Sequence, residues 1–80
     1  MKPENAIQKE ITKSIDLRQK LMDQENAARE AAYQEAYENG GEWNKKVMRL
    51  REKADQLAEK SRQTRERILA LMQASLMLHQ

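Results

Sequence analysis

The sequence predicts an all-α fold: two long helices folded back on each other at Gly40-Gly41 into an antiparallel coiled-coil hairpin. Three observations predict it. The dominant residues (Ala, Glu, Lys, Gln, Arg, Leu, Met) are strong helix formers, and the chain has one Pro, two Gly and no Phe. Apolar residues recur at spacings of three and four, the period of one helix face. The two glycines are adjacent and stand near the middle of the 80 residues, between segments of matched length. Together these give a single domain over residues 1–80, with a first helix over about 3–38, a turn at 39–41 and a second helix over about 42–78.

The first helix opens at Pro3, whose missing N–H is not needed in a first turn, with Glu4 where the helix dipole favours an anion. Ile7, Ile11, Ile15, Leu21/Met22, Ala28, Ala32 and Ala36 mark its apolar stripe. The stripe is interrupted near Arg18 and Glu25 and thins from Ile and Leu to Ala toward the turn. Asn39-Gly40-Gly41 ends the helix, because glycine tolerates the left-handed conformation that closes one. Running straight through Gly-Gly as one continuous helix would cost roughly 2 kcal/mol.

The second helix has the clearer pattern. Val47, Leu50, Ala54, Leu57, Ser61, Thr64, Ile68, Leu71, Ser75 and Leu78 alternate by three and four, an a/d heptad seam. Its three polar members are small and uncharged, so they can be buried with their hydroxyls bonded back to the helix. Helices of this length run roughly 55 Å at 1.5 Å per residue. Folded at the glycines, they set residues whose numbers sum to about 82 opposite each other. An alanine-rich neck near the turn and a bulkier open end, where Ile7, Ile11 and Ile15 meet Ile68 to Leu76, follow from that register.

Composition narrows the function classes. A chain this short buries a modest core, and with no cysteine it has neither disulfides nor thiolate metal sites. Association with itself or a partner is the remaining route to more buried surface. The chain shows no secretory signal, and its longest apolar-rich stretch, Ile68 to Leu78, falls short of the roughly 20 residues that cross a bilayer. A cytoplasmic protein is the expectation, with membrane binding disfavoured. Catalysis needs a nucleophile, base or metal held in a shielded pocket. The only histidine is His79, next to the C-terminal residue, and neither a metal-ligand set nor a phosphate-cradling loop is present. The expectation is therefore no enzyme, no cofactor, no metal and no small-molecule substrate.

The C-terminal segment carries more apolar surface than one seam can use. Leu69, Met72 and Leu76 form a second row beside the seam, with Met77 adjoining, and a helix apolar on two faces is ordinarily buried on two faces. This singles out Ile7, Ile11, Ile15, Leu69, Met72, Leu76 and Met77 as a partner-binding surface at the open end. There the hairpin would dimerise into a four-helix bundle or be completed by a partner helix. The expected role is a non-enzymatic protein-binding module such as a small adaptor, assembly chaperone or inhibitor. Tyr33, Tyr37 and Trp43 cluster at the turn, either as a cap on the hairpin end or as a second binding tip. Acidic-to-basic pairs such as Glu25/Arg29 and Glu42/Lys46 are ordinary support for a solvated helix face.

Charge is uneven. Residues 1–38 carry six Lys/Arg against eight Asp/Glu, and residues 42–80 carry nine against five. The imbalance favours the two helices lying side by side. It also allows an alternative, a nucleic-acid-binding accessory protein using the row Lys45, Arg49, Lys53. Glu52, Asp55, Glu59 and Glu66 interrupt that basic run, and antiparallel packing is expected to bring Glu30 and Glu35 toward the row.

Overall fold

A computed structural model describes residues 3–41 and 43–78, so the expectations for Glu42 and His79 lie outside the described residues. Two α-helices make up the fold, α1 (Pro3–Glu38) and α2 (Lys45–Leu78), packed side by side as an antiparallel hairpin with a long dimension of 59 Å.

The turn is built as the glycines require. The N–H of Gly41 donates to the carbonyl of Ala36 at 2.7 Å, and that of Gly40 to Tyr37 at 3.2 Å. This pair of bonds is the Schellman arrangement, which satisfies carbonyls left over at a helix end. Gly40 has φ 70° and Gly41 φ 84°, values that a Cβ would strain. The second helix begins three residues later than its expected start at 42. Asn44 is the reason: its Oδ1 accepts from the N–H of Val47 at 2.9 Å, the N-cap bond, so the helix proper starts at Lys45. Trp43 thus precedes the cap rather than opening the helix.

The α2 seam packs as its heptads require. Val47, Ala54, Leu57, Ser61, Thr64 and Ile68 are all buried. Thr64 donates its hydroxyl to the carbonyl of Lys60 at 2.8 Å, which lets it lie inside the interface. On α1 the interior positions are Ile7, Ile11, Ser14, Arg18, Leu21, Glu25, Ala28, Ala32 and Glu35, buried or half-buried in strict alternation of four and three. The seam therefore does not break at Arg18 and Glu25. It runs through them, and Ser14 takes the place expected for Ile15, which is left outside.

Facing positions again sum to about 82. Three ion pairs across the helices hold that register: Glu35 with Lys46 at 3.4 Å, Arg29 with Asp55 at 3.4 Å, and Glu10 with Arg67. At that register three layers pair a large residue with a small one (Leu21 with Ser61, Ile68 with Ser14, Leu50 with Ala32), which favours interdigitation there. Leu21, Ala28, Ala54 and Leu57 form the central cluster, in which Ala54 is fully buried. The core is thin. Five large apolar side chains (Ile11, Leu21, Val47, Leu57, Ile68) are buried, whereas twelve are exposed among the described residues.

Candidate docking flank

A two-helix hairpin has two long flanks, one on each side of the seam, and here they differ in chemistry. Side chains one position after an a/d pair on both helices share a flank in an antiparallel pair. On the first flank these are Ile15, Met22, Arg29 and Ala36 of α1 with Arg51, Ala58, Arg65 and Met72 of α2. Opposite them lie Glu10, Leu17, Lys53, Lys60 and Arg67. The second flank is mostly charged: its groove, about 510 Å³, is rimmed by Glu10, Lys13, Lys60, Gln63 and Arg67, with Leu17 and the seam residues Ser14, Leu21 and Thr64 at its base.

The first flank holds two grooves between the helices. The larger, about 330 Å³, lies toward the open end and is lined by Ile15, Arg18, Gln19, Met22, Arg65, Ile68, Leu69 and Met72. Leu76 continues the row one heptad beyond Leu69 and is exposed. The smaller, about 200 Å³, lies at the turn between Arg29, Ala32, Tyr33, Ala36, Trp43, Val47 and Arg51. The Arg51 guanidinium sits 4.3 Å from the centroid of the Trp43 ring, a cation–π contact.

The surface singled out from the sequence is thus divided. Ile15, Leu69 and Met72 come together around one groove, with Leu76 in line. Ile11 is buried and Ile7 half-buried in the seam, so these two hold the hairpin shut rather than face outward. Met77 follows Leu76 and lies about 100° further round the helix, off the flank. Met22, Arg18 and Arg65 belong to the groove and were missed. Met22, interchangeable with its neighbour Leu21 in the apolar stripe of the sequence, lies one step outside the seam, where Leu21 is buried and Met22 is exposed.

The aromatic residues do not form a buried cap. Tyr33, Tyr37 and Trp43 are 76%, 85% and 60% exposed, and only Tyr33 and Trp43 share the groove at the turn. Lys45, Arg49 and Lys53 are exposed. The expected pairing of that row with Glu30 and Glu35 is not what forms. Glu35 takes Lys46 instead, and no ion pair among the described residues reaches Glu30.

Local electrostatics are concentrated at paired carboxylates. Partial burial works against a charged Glu35, but Asn39, Asn44 and Lys46 donate to it and hold its carboxyl below the ordinary glutamate value. The hydrogen bond from Arg62, aided by its charge and by Gln63, lowers Glu59 in the same way. Arg29, bonded to Glu25 at 2.9 Å and reaching Asp55, is raised above its ordinary value. Among the described residues no group of three or more His, Cys, Asp or Glu could hold a metal ion, and no helix is long and apolar enough to cross a membrane.

Comparison with family models, with curated proteins and with solved structures finds no match to this chain.

Proposed function

We propose that the hairpin is a non-catalytic protein-binding module whose first flank receives a helix from another protein, completing a bundle of which α1 and α2 are two members. One observation carries this reading: Ile15, Met22, Leu69 and Met72 surround a groove between the two helices yet remain exposed, while the seam beside them is closed. Apolar side chains aligned along a groove are the means by which helix-in-groove complexes are held, and methionine adapts its shape to the ligand. Each Å² covered contributes about 25 cal/mol before association costs. The thin core supports the same reading, since small helical modules commonly gain stability by association.

Site-directed photocrosslinking in the cells that make the protein tests it. A photoreactive residue is placed at Met72 on the first flank, or at Leu17 on the second. A discrete crosslinked protein is expected from position 72, absent from position 17 and suppressed by Leu69→Glu. Equal labelling from both flanks, or none from either, contradicts it.

A further inference from the structure

Resting on the docking reading above, we propose that the occupant of the first flank is an amphipathic helix of another protein with carboxylates beside its apolar stripe, rather than a second copy of this chain. The larger groove brings two guanidiniums, Arg18 and Arg65, among apolar side chains and has no carboxylate in its lining. The groove at the turn repeats the pattern with Arg29 and Arg51, again without an acidic residue. The carboxylates nearest this flank, Glu25 and Asp55, both hold Arg29. Glu59 and Glu66 are both taken up by ion pairs with Arg62. Arg18 and Arg65 make no ion pair among the described residues, and the Arg18 Nε is buried without a hydrogen-bond partner.

Arg18 also stands at a seam position where an apolar residue would pack better. Residues that break the local rule without compensation inside the fold are expected where function sets the choice. A guanidinium presents a planar fork of donors that a carboxylate meets with two parallel bonds. A helix laid in the groove with acidic residues three or four positions apart, flanking an apolar stripe, meets both arginines and the Ile15, Met22, Leu69, Met72 surface at once. A second copy docked symmetrically through this flank would instead bring together two surfaces whose grooves carry arginines and no carboxylate, and like charges brought together in an interface are disfavoured. A concave groove between two helices also suits a third helix better than it suits a flat lipid surface.

The test uses the full chain and two designed helical peptides of about 18 residues, roughly five turns. Both carry the same leucine stripe. One has glutamates flanking it and the other lysines at the same positions. Binding is followed by fluorescence anisotropy of the labelled peptides. The Glu-flanked peptide is expected to bind at least tenfold more tightly than the Lys-flanked one, and to weaken several-fold in Arg65→Gln and again in Arg18→Gln. It should also weaken as salt is raised. Circular dichroism confirms that both variants remain helical; Arg65 is exposed, so its replacement leaves the seam intact. Equal binding of the two peptides at the first flank overturns the charge assignment and leaves the docking reading standing. Failure of both peptides overturns the assignment and the docking reading with it. Concentration-dependent dimerisation that Met72→Glu abolishes overturns it in favour of a second copy. Tighter binding to vesicles containing anionic phospholipid, or to duplex DNA, than to the Glu-flanked peptide overturns it in favour of those surfaces.

Discussion

Replacing Arg18 by methionine should stabilise the isolated hairpin. Arg18 occupies a seam position between Ser14 and Leu21, opposite Thr64, and its Nε is buried with no partner. An unsatisfied buried donor costs about 1–3 kcal/mol. The outer end of the side chain borders the open groove, which places the cost near the lower end of that range. Methionine keeps the length of the aliphatic stem, fits irregular gaps and carries no donor. The expected gain is about 1 kcal/mol, which in a domain of this size raises Tm by about 4–8 °C. Thermal unfolding followed by circular dichroism measures it. Several protein concentrations are needed, because association would also raise Tm. Lys20→Met, on the exposed face of the same helix, is the control and should stay within about 0.5 kcal/mol. An unchanged or lower Tm with helicity retained would refute the reasoning. It would mean that the guanidinium is satisfied where it lies and that the hairpin bears no cost for keeping it.

Three further outcomes are expected. Gly41→Ala should destabilise by about 1–2 kcal/mol in chemical denaturation, through the left-handed backbone alone, because an added Cβ meets nothing within 4 Å. Ala54→Leu should destabilise by about 1–3 kcal/mol in the same assay, since Ala54 is fully buried where the helices approach closely beside Ala28. Stability should also depend on pH through Glu35 and Glu59, whose folded values are both lowered. Their contribution is fully present above the ordinary glutamate value of about 4.3 and is lost as pH falls through the lower folded values. Tm measured against pH should therefore begin to fall below about pH 4.5, and Glu35→Gln should flatten part of that fall.

The fold was legible because its determinants are local. A run of helix formers, a Gly-Gly stop and a three-four alternation in α2 each act within a few residues, and the hairpin follows from their order. The antiparallel register was legible for the same reason, since a tight turn leaves few ways to pair two helices of equal length. Two features were obscured. The α1 seam passes through Ser14, Arg18 and Glu25, and hydrophobicity alone steered the stripe onto Ile15, which is 46% exposed. Extending the period of Ile7 and Ile11 through polar positions would have found the seam and left Ile15 and Met22 outside it. The start of α2 was obscured because Glu42 and Trp43 are acceptable helix residues, and only the bond from Asn44 to Val47 sets the boundary. The docking flank combines side chains from both helices, so it could be assembled only once the seam on each was in place.

Docking of a helix along the first flank is tested most directly by methyl NMR during titration with the Glu-flanked peptide. The methyl signals of Ile15, Met22, Leu69 and Met72 are expected to shift together and saturably, while those of Leu17 and Met77 stay in place. Shifts centred on Leu17 or Met77, or no saturable shift at all, would contradict it.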